Sequence, residues 1–232
     1  FNQRARSLAL FELGKCFSAP PAETALPGET WNIAALYAGP LSTTTWHGPP
    51  RDMDFYDLKG ALERLADGIP LHFESVSFPG YRPGHSASVS LDGEPIGYIG
   101  QVALDLCAAF DIEAEVYIFE LNFASLVDVW QQHRPVFVQL PKFPAAERDL
   151  SVVVRDGVSH SAIAQEITAG YLVENVELFD LYQGDPIESG HKSLSFSIRL
   201  RHPERTLKDK QADAAINEIL NKLRKRFGAH LR

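Results

Sequence analysis

The clearest pattern in the chain is the run SLSFSIRLR, in which apolar and polar side chains alternate without a break. Leu194, Phe196, Ile198 and Leu200 fall on one side and Ser193, Ser195, Ser197, Arg199 and Arg201 on the other. A period of two is the signature of a strand with one buried face. Around it, ERDLSVVVR (147–155) and Val176 to Tyr182 read as further strands, the latter joined to the alternating run by the turn-rich QGDPIESGHK. Ser159 caps a short helix carrying Ile163 and Ile167, which ends at Gly170. A long helix is expected from about Asp209 to Phe227, with Ile216, Ile219, Leu220 and Leu223 at helical spacing and Gly228 as its stop. With a last short strand from AHLR, the order is β-α-β-β-α-β, a ferredoxin-like arrangement. Its two helices cover one sheet face, and the serine and arginine positions belong to the other.

Residues 1–140 read differently. Strand candidates are Leu8 to Phe17, Trp31 to Tyr37, Leu71 to Phe78, Ser86 to Leu91, Pro95 to Val102 and Val116 to Phe123. Leu58, Ala61, Leu62 and Leu65 form the stripe of an amphipathic helix with Asp57 as its cap, and Leu104 to Phe110 is helix-prone. Strands joined by short turns with irregularly spaced helices indicate an antiparallel α+β sheet rather than βαβ winding. The proline-rich stretch QHRPVFVQLPKFPAAERDL, with Pro135, Pro141 and Pro144, reads as a surface linker, which places a domain boundary near residue 140.

The 232 residues, 45% hydrophobic and 22% charged, suit one large soluble domain or two modest ones and exclude disorder and collagen. Cys16 and Cys107 have no ligand-like spacing and read as the reduced thiols of a cytosolic protein. No apolar run approaches the roughly 20 residues that cross a bilayer. The first residue is Phe1, inside what reads as a strand rather than a signal peptide, so the chain is expected to be a piece of a longer protein.

Charge divides the chain where the pattern does. Residues 1–140 hold 8 Lys+Arg against 17 Asp+Glu, and residues 141–232 hold 14 against 13. From Arg199 onward there are 10 basic and 4 acidic side chains, a positive patch that is either a solvated helix face or a polyanion surface. Phosphate loops, HExxH, paired-cysteine ligands and G-x-S-x-G are all absent, and His47, His72, His85 and His133 are scattered. No catalytic or metal-binding set is expected. Hydroxyl and guanidinium groups on the uncovered sheet face suit phosphate and ribose contact, and Asp180 with Tyr182 offers an acceptor beside a stacking ring. The plain alternative is a strand that ends in Asp and Tyr before a turn, and the sequence signature of an RNA-recognition-motif strand is missing.

The segments FELGKCF, DFYDLKG, RPGHSA, IGYIGQV, PKFPAAERDL, LFDLYQGDPIESGHKSLSFSIRL, ERTLKDKQAD and FGAHLR, in this order, resemble the C-terminal part of the bacterial phenylalanyl-tRNA synthetase β subunit. The resemblance implies that residues 1–140 are a class II synthetase-like antiparallel module without its active site. Residues 141–232 would be a ferredoxin-fold anticodon-binding domain. It further implies a parent (αβ)2 enzyme that uses ATP and Mg2+, with catalysis in the α subunit, no cofactor bound by this chain, and tRNA(Phe) and the α subunit as cytoplasmic partners. Consistent with an inactive module, GYIGQV runs into Ala103 and Leu104 rather than the Arg that a class II site needs for its phosphate charge.

By the same resemblance, Asp180 accepts hydrogen bonds from the guanine wobble base, Tyr182 stacks on it, and Ser193 contacts a neighbouring anticodon position. Arg148, Lys192, Arg199, Arg201 and Arg205 are expected backbone contacts from charge alone. For Arg148 an internal salt bridge is the alternative, and for Arg205 a structural ion pair. Two departures stand out: the family's His-Pro-Gly-Arg-Ser-Ala is Arg82 to Ala87 here with His and Arg exchanged, and His191 replaces a family lysine. The competing functions are a self-sufficient synthetase, which needs an ATP-binding arginine pair, and a protein-interaction module with no RNA role.

Overall fold

The alternating strand does bury its apolar side completely. Leu194, Phe196, Ile198 and Leu200 are all fully buried, and they anchor the core of the C-terminal half of the chain. The structure is a computed structural model that describes residues 7–19, 26–41, 51–132, 137 and 139–232; His47, His133 and Pro135 lie outside them. The chain divides into two compact units, Phe1–Val136 and Phe137–Arg232. The fold is α+β, and both sheets are antiparallel.

In the first unit, strands β1 (Leu8–Ser18), β2 (Gly28–Ala38), β3 (Leu71–Ser75), β4 (Tyr81–Leu91), β5 (Glu94–Val102) and β6 (Val116–Asn122) form a six-stranded sheet ordered β1-β2-β6-β5-β4-β3. Helix α1 (Phe55–Leu65) lays Leu58 and Leu62 into its core beside Val89, Ile99 and Leu121. This helix begins earlier than the sequence suggests. Asp54 is its N-cap, accepting from the backbone N–H groups of Tyr56 and Asp57, and Asp57 is the third helical residue that closes the capping box. Arg51 forks onto Asp57 through two hydrogen bonds of 2.6 Å. Helix α2 (Leu104–Ala109) is as expected, but α3 (Phe123–Gln132) was not foreseen; its Leu126 is fully buried. The segment RPGHSA lies inside β4, where pairing with β5 shifts register and Gly84 takes a left-handed φ of 77°.

The second unit places β7 (Ala146–Arg155), β8 (Val173–Tyr182), β9 (His191–Leu200) and β10 (His230–Leu231) in the order β10-β7-β9-β8, with α4 (His160–Thr168) and α5 (Asp209–Phe227) between them in sequence. Ile163 and Ile167 of α4 join Ile219, Leu220 and Leu223 of α5 in one cluster against Leu150, Val152 and Val154 of β7 and the apolar side of β9. Both helices thus cover the same sheet face. The other face is left to the odd-numbered residues of β7 and β9.

Two consequences are measurable by thermal or denaturant unfolding. A Cβ at Gly97 would stand 2.0 Å from the Glu120 carbonyl oxygen and 2.8 Å from Leu121 Cα, so Gly97→Ala is expected to destabilise the first unit by about 1–3 kcal/mol. Gly60, in α1 with nothing within 4 Å of an added Cβ, is expected to respond in the opposite direction, Gly60→Ala gaining about 0.5–1 kcal/mol. The hydrogen bonds from Arg51 hold the Asp57 carboxyl below the usual carboxylate range. Its ionised form therefore stabilises the fold above the unfolded-state pKa, and this contribution is lost as pH falls through the lower native value. Asp57→Asn should melt below the wild type at neutral pH, and the gap should close as the pH drops past about 4.

Candidate nucleic-acid interface

Asp180 and Tyr182 reach the helix-free face only because β8 is irregular. Val176 and Leu178 pack against the helical core, and uninterrupted alternation would send Asp180 and Tyr182 the same way. The register with β9 instead shifts between Leu178 and Asp180, leaving Phe179 as the extra residue of a bulge. Bulges re-aim side chains. Beyond it Asp180 lies opposite Ser195 and Tyr182 opposite Ser193, on the side of β9 away from the helices.

The floor of this face is made of small residues. Ser195 Oγ and Ser151 Oγ are 2.8 Å apart. Ser193 is fully buried, and its hydroxyl has no hydrogen-bond partner. Ser193 and Ser195 therefore have the expected orientation but are buried, because β9 is an inner strand of the sheet. The Arg232 guanidinium lies 4.9 Å from the Tyr182 ring centroid and 3.8 Å from the Asp180 carboxylate. Residue 232 follows β10 and Tyr182 ends β8, the two opposite edges of the sheet, so this side chain extends across the face between them. The Asp180 side chain remains 47% exposed, and the Tyr182 hydroxyl donates to the Asp185 carbonyl at 2.6 Å, which fixes the ring at the start of the following turn. A planar, donor-rich group is thus already accommodated by the carboxylate and the ring.

The cations predicted from charge are mostly committed elsewhere. Arg148 has the parity of Leu150 and Val152 and points to the helix side, where Asp213 and Asp209 of α5 each accept from it at 2.9 Å. It is a strand-to-helix clamp and does not contribute to the helix-free face. Arg199 pairs with Glu147 at 3.0 Å, and Arg201 with Glu174 at 2.8 Å and with the Phe143 carbonyl. Lys192 donates to the Asp156 carbonyl at 2.7 Å. Arg205 is exposed and has no ion pair among the described residues. Arg232 and the β8 bulge are the features that reading the sequence missed. The bulge had one visible trace, since Val176, Leu178 and Tyr182 share a parity that a buried core and an exposed ring cannot both satisfy.

Comparison with known proteins bears on both units. Residues 1–123 match the family model for the phenylalanyl tRNA synthetase beta chain CLM domain. The chain belongs to the phenylalanyl tRNA synthetase beta chain family. Residues 141–232 of this family member match a second model, the ferredoxin-fold anticodon binding domain. Among curated relatives, the phenylalanine–tRNA ligase beta subunit of Xanthomonas euvesicatoria pv. vesicatoria is 38% identical over 234 residues, covering 99% of this chain and 29% of the relative. The beta subunits of Shouchella clausii and Moorella thermoacetica are 36% and 35% identical, each covering the whole of this chain and 29% of its own length. The chain therefore spans under a third of the relatives it matches.

Proposed function

We propose that this chain acts as the C-terminal portion of the β subunit of a cytoplasmic phenylalanine–tRNA ligase, with a tRNA-reading second unit and a first unit that packs on the catalytic α subunit. The observation that carries the first part is the carboxylate and phenol ring held side by side on the helix-free sheet face. A purine stacked on Tyr182 would place its donor edge within reach of Asp180, the arrangement that discriminates guanine by its N–H groups. Ser193 adds an unsatisfied hydroxyl directly across the ladder. Of the basic residues, Arg205 is free for the RNA backbone, whereas Arg199, Arg201 and Lys192 would first have to exchange their internal partners.

The second part rests on β1. Leu8, Leu10, Phe11, Leu13 and Phe17 are all exposed on this edge strand, Phe11 to 79%, and Trp31 of β2 is exposed beside them. An apolar edge of this kind on a folded unit marks a surface that another protein covers. ATP and Mg2+ would be handled elsewhere in an (αβ)2 assembly. Among the described residues of this unit, Arg82 is engaged by Gln101 and Glu115 and Arg51 by Asp57, so neither is free to hold the phosphate charge of adenylate chemistry.

The reading is tested with the anticodon stem-loop of tRNA(Phe). Tyr182→Ala should weaken binding by roughly 1–3 kcal/mol, the value of one stacked base, while Tyr182→Phe keeps the affinity. Asp180→Ala should reduce the preference for guanine at the first anticodon position. Equal affinity of wild type and both alanine variants would contradict an RNA role. For the first unit, Phe11→Ser is expected to weaken co-assembly with the α subunit in sedimentation experiments while leaving the melting temperature unchanged, since Phe11 contributes little to the core. Unchanged co-assembly would remove β1 from the interface.

A further inference from the structure

We propose that the corner of the second unit where β7 ends and β9 begins is an anion site that takes a backbone phosphate of the RNA. The inference rests on the RNA reading for its ligand, but its residues lie outside the base-binding pair. A pocket of about 450 Å3 opens there, lined by Arg155, Val158, His191, Arg226, Phe227 and Gly228. Arg155 and His191 face each other directly in the β7–β9 ladder. None of the lining residues is acidic, and Val158 and Phe227 supply apolar walls that strengthen any charge interaction made between them.

Two observations distinguish Arg155 and His191 from the other basic side chains of the unit. Arg148, Arg199 and Arg201 are each neutralised by a carboxylate, whereas the exposed Arg155 side chain has no ion pair or hydrogen bond among the described residues. His191 lines the pocket with a buried Nδ1 that has no partner. Arg226 is oriented by Glu166 at 2.5 Å, so its position at the rim is held in place even though its charge is partly met. The Asp156 carboxylate, next in sequence to Arg155, is occupied by the Gln183 amide at 3.0 Å. A guanidinium and an imidazole converging on a carboxylate-free pocket suit the oxygens of a phosphate.

Position selects the source of that phosphate. His191 is two residues along β9 from Ser193, which sits opposite Tyr182. Two residues of strand are about 7 Å, a distance one nucleotide bridges, so a base on Tyr182 carries an adjoining phosphodiester towards His191 and Arg155. The lysine that the family resemblance places at position 191 is thus replaced by a histidine that lines the same pocket.

The test uses the whole chain, the anticodon stem-loop and a salt series. Arg155→Ala is expected to weaken binding and to flatten the plot of log affinity against log salt by about 0.7, one single-strand phosphate contact; His191→Ala should weaken binding as well. Lys222→Ala, on the exposed side of α5 and paired with Glu218, should leave the slope unchanged. In parallel, inorganic phosphate and a dinucleoside monophosphate are titrated while the His191 ring and Arg155 side-chain resonances are followed. Shifts with the dinucleotide and a flattened slope support the proposal. An unchanged slope in Arg155→Ala, with Tyr182→Ala still impaired, overturns the phosphate site and leaves the RNA reading standing. Shifts with inorganic phosphate in a chain that binds no RNA retain the anion pocket and overturn its ligand.

Discussion

Burial of Phe196 fixes the orientation of everything functional in the second unit. Its ring, with Leu194, Ile198 and Leu200, is fully enclosed between the sheet and helices α4 and α5, and a one-residue slip would exchange these four for serines and arginines. That exchange is prohibitively unfavourable, because four large apolar side chains would enter water and guanidinium groups would enter the core. The register of β9 is therefore set by the core, and the helix-free face inherits its small, polar residues without any selection for binding being required. The exception is β8. There the bulge at Phe179 breaks the inherited parity and brings Asp180 and Tyr182 out beside that polar floor.

Much of this architecture was legible from residue spacing. The alternation in 193–201, the stripe of α5 and its Gly228 stop, and the Ser159 cap all correspond to observed elements, because each depends on neighbours close in sequence. Features that depend on distant partners were not legible. Arg148 reads as a free cation until α5 folds back to supply Asp209 and Asp213, 61 and 65 residues later. Arg232 reads as part of a tail until the sheet order brings the edge strand β10 onto the face that Tyr182 occupies. Helix α3 was hidden because FASLVDVW is rich in strand-favouring residues and gains its helical form by burying Leu126.

The two units show opposite uses of exposed surface. In the second, most of the arginines are paired within the unit, so a ligand that arrives must compete with internal contacts such as that between Arg232 and Asp180. In the first, the exposed side chains of β1 are large and apolar, and an acidic balance accompanies them. Acidic charge repels nucleic acid, while apolar edge surface favours a protein partner. This division matches the separation of the chain into a CLM-family segment and an anticodon-binding-family segment.

The central claim is that a base enters over Tyr182 on the face of the sheet that the helices leave bare. Mapping by NMR which resonances move when the anticodon stem-loop is added tests this directly. The account requires the largest shifts at the Tyr182 ring, the Asp180 and Ser193 amides and the Arg232 side chain, with the outer surfaces of α4 and the middle of α5 silent. Shifts concentrated on those helices, with Tyr182 and Arg232 unmoved, would contradict it.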